Sequence, residues 1–520
     1  MEAGPDATEW TPKFSPWLIA IAVMLAAFME VMDTSIAAVA VPNIAGSISA
    51  TSDEATWVLT SYLVANAIFI PASTWLSLKF GRKRYLMMSV LIFTVASFAC
   101  GAANSLAFIL FARAVQGAAG GALQPLSQSI LIESFPPAKR GLALGMYAMG
   151  VVVAPIIGPT LGGYLTDTVS WRWAFYINIP IGIVALLMQA KFLEDPPFIK
   201  NAKPGRLDGT GLAFLAVWLG ALQVVCDKGQ EDDWFGSNLI CTMAVLFVVG
   251  FVVWLIREKT AKAPLVDLGI FANRNFAVGS ALIALFGACI YGVTTIFPLF
   301  YQNTLGYDAT NSGLIVAPRG IGAVFAAICV ALLVSKMDPR ILISVGFCIF
   351  GACAYWFSLL NFNISFWSLF LPILISGVGL AMIFSPLAGI ALGTLPEKQL
   401  GNGSALFNLL RNVGGSIGIS FVNTIAERHL QSHSNELSRS LVGTRQVVQN
   451  DVSALTSFMA RHAGPHLAME RAYAELSATL TNQAQTMAYA DDFRYLAVMS
   501  LGCAAAVFVL KKTKPAVGAG

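Results

Sequence analysis

Residues Trp17–Pro42 read WLIAIAVMLAAFMEVMDTSIAAVAVP. Apart from Glu30 and Asp33 the run carries no charge, and as a helix rising 1.5 Å per residue it is long enough to cross a hydrocarbon core of ~30 Å. It is longer than a signal-peptide core and lacks a small-residue cleavage site, so it reads as a retained first span. Outward from it, further apolar stretches of about 20 residues begin near Trp57, Tyr85, Ser105, Gly141, Trp173, Leu207, Asn238, Phe276, Ser312, Arg340, Phe366, Asn402 and Phe493. With 57% hydrophobic and 12% charged residues and a mean hydropathy of +0.71 over 520 residues, an ordinary soluble globule is excluded. The expected fold is an all-α polytopic membrane protein with fourteen spans.

Alternating the loops between the two sides separates the basic residues. One side holds Lys13; Lys79, Arg82, Lys83 and Arg84; Lys139 and Arg140; Lys191, Lys200, Lys203 and Arg206; Arg257, Lys259, Lys262 and Arg274; Lys336 and Arg340; Lys398; and Lys511, Lys512 and Lys514. The short loops of the other side hold only Arg172 and Lys228. The positive-inside rule makes the first side, with both termini, cytoplasmic. A continuous basic stripe of the kind that binds nucleic acid is missing despite the net charge of +4. The eight cysteines lie in or beside apolar segments without CxxC or Cys/His spacing, which argues against a disulfide framework or a zinc site. Between about Glu427 and Asp492 lies a long polar segment, expected to be a partly helical outer loop and containing all four histidines, His429, His433, His462 and His466. His462 and His466 stand four apart, but Gly464 and Pro465 between them argue against the continuous helix a metal pair would need, and no metal is expected.

The loop Pro136-Pro137-Ala138-Lys139-Arg140-Gly141 and the loop Leu395-Pro396-Glu397-Lys398-Gln399-Leu400-Gly401 fall at matching places if spans one to six and nine to fourteen are related halves. Duplicated halves with a site between them are a common construction of secondary transporters. The implied division is an N-terminal tail (1–16), a six-helix bundle (17–195), two inserted spans (196–275), a second six-helix bundle (276–511) that includes the outer segment, and a C-terminal tail (512–520).

A charge inside the hydrocarbon costs ~2.5 kcal/mol or more on insertion scales, so each one asks for a function and a partner. Glu30 and Asp33 share a helical face in span one; Arg113, Arg319 and Arg411 lie in spans four, ten and thirteen. Asp33 is nine residues before Pro42 and Arg113 nine after Asn104, which puts both roughly 13 Å in from the outer edge and lets them meet. An aspartate facing an arginine whose contact changes with conformation is a proton switch; a static pair that only fixes packing is the alternative. Glu30, nearer the midplane, is a second proton site or a counter-charge for a cationic substrate. Polar side chains spaced to face a common cavity are Asn66 in span two, Gln116, Gln124 and Gln128 in span four, and Asn408, Arg411 and Asn412 in span thirteen, with Phe69, Tyr147, Tyr291 and Phe407 as aromatic lining. Span five carries Gly145, Gly150, Gly158-Pro159 and Gly162-Gly163, small residues that allow close helix approach.

These residues resemble the major facilitator superfamily, specifically its fourteen-span drug:proton antiporters of the EmrB/QacA type, over nearly the whole chain. Carrying the resemblance are Val31-Met32-Asp33-Thr34-Ser35 through Pro42 in span one, and Leu76, Gly81, Arg82 and Lys83 between spans two and three. So do Arg113-Ala114-Val115-Gln116-Gly117 in span four, Gly145, Gly158-Pro159 and Gly162-Gly163 in span five, and Trp171-Arg172-Trp173 through Gly182. The chain departs from the pattern at Thr74 and Ala154, where the family has glycine, and at Leu78, where it has an acid. The resemblance implies a major facilitator fold of two six-helix bundles plus two inserted helices, proton coupling through Asp33 and Arg113, and export. It also implies work in a bacterial inner membrane with a periplasmic membrane fusion protein and a TolC-type outer-membrane channel.

The expected function is proton-coupled efflux of hydrophobic small molecules by alternating access, without a cofactor. No GxxxxGK[ST] loop is present to bind nucleotide. The alternative within the same machinery is a dedicated exporter of a siderophore or fatty acid. A membrane enzyme would need a catalytic constellation inside the bilayer, and the histidines all fall outside it; a receptor would show no flux.

Overall fold

A backbone in hydrocarbon must satisfy its own N–H and C=O groups, and the apolar runs do so as helices. The computed structural model describes residues 11–512 apart from 137–138, 201–207, 262–263, 308, 335–336, 360–363, 365, 397–398, 441–445 and 464–466. Among them are fourteen helical segments long and apolar enough to span a membrane, and no strand. In chain order the helices are α1 (Pro16–Ser47), α2 (Ser52–Phe80), α3 (Arg82–Gly101), α4 (Leu106–Gly120), α5 (Leu123–Ser134), α6 (Arg140–Thr168), α7 (Trp173–Tyr176), α8 (Asn178–Phe192) and α9 (Pro197–Lys200). There follow α10 (Gly209–Lys228), α11 (Asn238–Thr260), α12 (Arg274–Leu299), α13 (Ala309–Val316), α14 (Pro318–Leu333), α15 (Pro339–Phe357), α16 (Phe366–Gly393), α17 (Leu400–Ser440), α18 (Gln446–Ala463) and α19 (Ala468–Ala506).

Local chemistry sets many of the ends. Thr51 caps α2 in a reciprocal box with Glu54, its hydroxyl accepting from the Glu54 N–H and its own N–H donating to the Glu54 carboxylate. Gly81 ends α2 at φ +87°, a conformation glycine adopts without cost, and a Cβ there would lie 2.6 Å from Asp195 Oδ2. Span four is interrupted between Gly120 and Leu123, which divides it into α4 and α5. Span ten is broken at Pro318, which has no N–H to continue the ladder.

Helices α1 to α6 and α8 pack on one another as one bundle; α12 and α14 to α17 pack with α19 as a second. Helix α6 lies against α13, α14 and α16, while α2 and α5 lie against α17, and these contacts join the bundles. The inserted pair, α10 and α11, pack mutually, and α10 lies along α2 and α17. Polarity is inverted relative to a water-soluble protein: Phe111, Val245, Phe325 and Val498 are exposed where lipid would sit, while Asp33 and Arg113 are fully buried. Close approach explains the span-five glycines. A Cβ on Gly158 would stand 2.5 Å from Ser35 Cβ, and one on Gly162 3.2 Å from Ile36 Cα, so α6 lies directly on α1.

The stretch from Glu427 to Asp492, expected to be partly helical, is helical over most of its described residues: α17 runs unbroken to Ser440, and α19 begins at Ala468 and reaches the apolar stretch at Phe493 without interruption. Helix α18 packs on α19 between them. Falling hydropathy marks where a helix leaves hydrocarbon, and alanine-rich polar sequence continues as helix in water. Of the residues singled out from sequence, Pro137, Ala138, Glu397, Lys398, Lys203, Arg206, Lys262, Lys336, Lys514, Gly464, Pro465, His466 and the side chain of His462 lie outside the described ones.

Candidate functional site

Two polar layers lie in the mainly apolar interior. The first lies inside the N-terminal bundle. Arg113, from α4, donates from Nη1 to Asp33 Oδ2 on α1 at 2.6 Å, and from Nε to the Val58 carbonyl at 2.9 Å. Gln116, one turn on, accepts from Arg113 Nη1 (2.7 Å) and donates to Asp33 Oδ1 (2.8 Å) and to Ser97 Oγ (2.8 Å). Asn178 at the start of α8 donates to the same Asp33 oxygen at 2.6 Å. The guanidinium stands 4.4 Å from the Tyr62 ring centroid and 5.5 Å from that of Phe175. Hydrogen bonds to both Asp33 oxygens and to the Arg113 Nε and Nη1 groups, with ring contact, offset part of the cost of burying this charge pair. Close packing completes it: a Cβ on Gly117 would come within 2.2 Å of the Tyr62 carbonyl oxygen.

The second layer crosses between the bundles. Glu30 Oε1 accepts from Asn66 Nδ2 (3.0 Å), whose Oδ1 accepts from Asn412 Nδ2 across the interface (3.2 Å). Arg411 Nη2 donates to Gln124 Oε1 at 2.7 Å, and Gln128 Oε1 accepts from both Asn408 Nδ2 and Ser404 Oγ at 2.8 Å. Ser416 extends the layer to the inserted pair by donating to Gln223 Oε1 on α10 at 2.7 Å. On the face of the molecule that carries the basic loops, Thr74 Oγ1 donates to the Gly401 carbonyl across the interface (3.3 Å). Arg82 there forms a buried ion pair with Glu133, while the Lys83 N–H donates to Asp195 Oδ1 at 2.8 Å.

The expectation of one cavity shared by Gln116, Gln124 and Gln128 is corrected. Gln116 serves Asp33 inside the N-terminal bundle, while Gln124 and Gln128 bond Arg411 and Asn408 of the other bundle. The two acids of span one have separate partners: Arg113 bonds Asp33, and Glu30 accepts from Asn66. Asn66, Asn408, Arg411 and Asn412 do meet at the interface. Tyr291 packs its ring on Gly415, with no hydrogen bond given by its hydroxyl among those described. Tyr147 and Phe407 are buried, Tyr147 with its hydroxyl 3.5 Å from the Gln124 carbonyl oxygen. Arg319 sits in the C-terminal bundle over Phe297 (5.1 Å) with Nε 3.4 Å from Ser376 Oγ. Gly145 and Gly163 are buried on α6, and Pro159 stands between Gly158 and Gly162 there. Sequence reasoning missed the roles of Asn178, Ser97 and Glu133. Asn178 stands within the quoted run after Trp171, but its role depends on where α8 meets α1 and α3. An apolar groove of about 890 Å³ also lies between α6 and α14, lined among others by Ile157, Leu161, Ile321 and Phe325.

A chain with fourteen candidate spans among its described residues, two bundles and a polar layer between them has the build of a secondary transporter. It belongs to the major facilitator superfamily, whose family profile matches residues 23–419. Over 429 residues it is 39% identical to the multidrug export protein EmrB of Escherichia coli K12, covering 82% of this chain and 83% of that one. It is also 39% identical over 416 residues to the fatty acid resistance protein FarB of Neisseria gonorrhoeae, covering 80% and 82%. Among solved structures, the proton:xylose symporter XylE superposes with a TM-score of 0.62 at 13% identity, covering 96% of this chain and 97% of that one, a likeness of fold. The chain is therefore a multi-pass membrane transporter of the EmrB-type efflux group, moving small molecules.

Proposed function

We propose that this protein is a proton-driven exporter of hydrophobic drugs or toxic small molecules in a bacterial inner membrane, with the basic face and both termini in the cytoplasm. The observation that carries the reading is the fully buried Asp33, held by Arg113, Gln116 and Asn178 in a chain of the export-protein family. Residues 17–195 and 276–511 act as the two moving bundles, with 196–275 as the inserted pair. A proton arriving from outside neutralises Asp33, removes the charge that Arg113 faces, and so changes how α1, α4 and α8 pack. The interface bonds Asn66 to Asn412, Gln124 to Arg411 and Gln128 to Asn408 are those that must break when the bundles part. Coupling requires only that proton and substrate bind the two arrangements with different affinities. Glu30, tied through Asn66 to the opposite bundle, is placed to report that motion or to face a cationic substrate.

The helical extension of α17 and α19 beyond the membrane supports a periplasmic membrane fusion protein as docking partner, with a TolC-type channel beyond it. Similarity to a protein named for fatty acid resistance favours one second reading, a dedicated exporter of amphipathic acids. The test is flux in proteoliposomes with and without a pH gradient, for wild type and Asp33→Asn. Gradient-dependent export lost in the variant is expected. Undiminished gradient-driven export in Asp33→Asn removes Asp33 from the coupling, and strict selectivity for acids selects the second reading.

A further inference from the structure

We propose that His429, His433 and Asp491 form a transition-metal site, suited to Zn²⁺, which ties the outward ends of α17 and α19 together. The two histidines are four residues apart and share one face of α17, in the part of that helix that has left the apolar stretch. Asp491 comes from α19, 58 residues after His433 in sequence. His429 Nδ1 lies 2.8 Å and His433 Nε2 2.9 Å from the same carboxylate oxygen, Asp491 Oδ2, and the three ligand atoms all lie within 4.8 Å of one another. Tetrahedral zinc with bonds of about 2.0–2.1 Å sets its ligand atoms roughly 3.3 Å apart, so the two histidine–carboxylate contacts need to lengthen by about half an ångström as the three atoms close around the ion.

Ligand type agrees with geometry. Two imidazoles and one carboxylate are the set that borderline metals take, and hard cations such as Mg²⁺ prefer oxygen alone. The other carboxylate oxygen, Oδ1, accepts from Arg494 Nη1 at 2.8 Å. That contact orients Asp491 and leaves Oδ2 as a single-oxygen ligand, the service an outer-shell partner gives in metal sites. The three ligands leave a fourth position for water. Without metal, two ring nitrogens share one oxygen; the ion replaces the protons that bridge them.

The site was not legible from spacing. His429 and His433 gain a third ligand only because α19 returns alongside α17, and the histidine pair that sequence offered, His462 and His466, is a different one. Its consequence is mechanical: a metal bond across α17 and α19 stiffens the helical pair that stands outside the membrane.

The experiment titrates Zn²⁺ into chelator-treated, tag-free full-length protein in detergent by calorimetry, with Co²⁺ absorption as a second readout. One saturable equivalent and the visible d–d band of nitrogen-ligated four-coordinate Co²⁺ are expected. His429→Ala, His433→Ala and Asp491→Asn should each weaken binding by more than the ~10-fold that loss of an outer-shell partner costs, whereas Arg494→Gln, which keeps all three ligands, should still bind. His462 and His466 remain in every variant, so binding that persists unchanged in His433→Ala and Asp491→Asn overturns the proposal. Wild-type protein that shows neither saturable Zn²⁺ heat nor a Co²⁺ band overturns it without recourse to any variant.

Discussion

Asp33→Asn changes one atom and almost no volume, so its effect isolates the charge. Asp33 accepts from Arg113 on one oxygen and from Gln116 and Asn178 on the other. Asparagine offers only one acceptor, and whichever way it turns, its amide nitrogen points a donor at a donor. Arg113 is then a buried cation without its counter-charge, and breaking such a pair costs about 3–5 kcal/mol. Arg113 keeps the Val58 carbonyl at 2.9 Å, Gln116 Oε1 at 2.7 Å and the Tyr62 ring at 4.4 Å, which argues for the lower end, about 3 kcal/mol. Removing the cation as well, in Asp33→Asn with Arg113→Gln, leaves a neutral polar cluster and should recover much of that loss, because replacing both members of a buried pair is often close to neutral. The assay is reversible unfolding of the purified protein in mixed detergent micelles, wild type against the single and double variants, with proton-driven flux followed in parallel. Stability should fall in the single variant and partly return in the double, while coupled flux stays absent from both. A single variant as stable as wild type, or a double no more stable than the single, refutes the electrostatic account of this cluster.

Other consequences follow from the packing and the interface. Gly158→Ala places a methyl 2.5 Å from Ser35 Cβ, and the resulting separation of α6 from α1 should cost about 1–3 kcal/mol, read as a lowered melting temperature. Asn408→Ala removes one of the two donors that hold Gln128 across the interface, so it should favour separated bundles, measured as raised accessibility of a cysteine introduced at the interface; unchanged accessibility would contradict that role. Between the inserted spans, Arg257 donates from Nε (3.0 Å) and Nη2 (3.1 Å) to Asp208 and holds its carboxyl below the usual carboxylate range. A depressed carboxylate contributes its stabilisation above its unfolded pKa, ~3.9, and loses it as pH falls through the lower folded value. Spin-label distances between the ends of α10 and α11 should therefore hold steady from neutral pH down to about pH 4 and broaden only below it.

The fourteen spans were legible because crossing hydrocarbon imposes a length and an apolar composition that any chain must print in its sequence. Asp33 and Arg113 could be matched by depth alone, since helical rise converts residue count into distance. Three things were not legible in the same way. Gln116 and Gln128 share one span, but only the packed structure tells that the first faces Asp33 inside its own bundle and the second faces Asn408 of the other. The groups that complete the Asp33 cluster from α3 and α8, Ser97 by accepting from Gln116 and Asn178 by donating to Asp33, are set by how helices far apart in sequence lie against one another. The extent of helix in the polar stretch after Glu427, read only as partly helical, was not legible because hydropathy records the surrounding solvent and says little about backbone conformation.

What the sequence determined by itself is thus whatever the bilayer demands of each segment separately: the number of spans, their order, the few charges that had to be buried, and the glycines that let helices touch. What only tertiary structure decided is which buried group meets which. Asp33 with Arg113, Gln116 and Asn178, Glu30 with Asn66 and Asn412, and His429 and His433 with Asp491 each join helices from distant parts of the chain. Such pairings depend on how helix faces rotate and cross when side chains interlock, a collective property of packing that no single segment encodes.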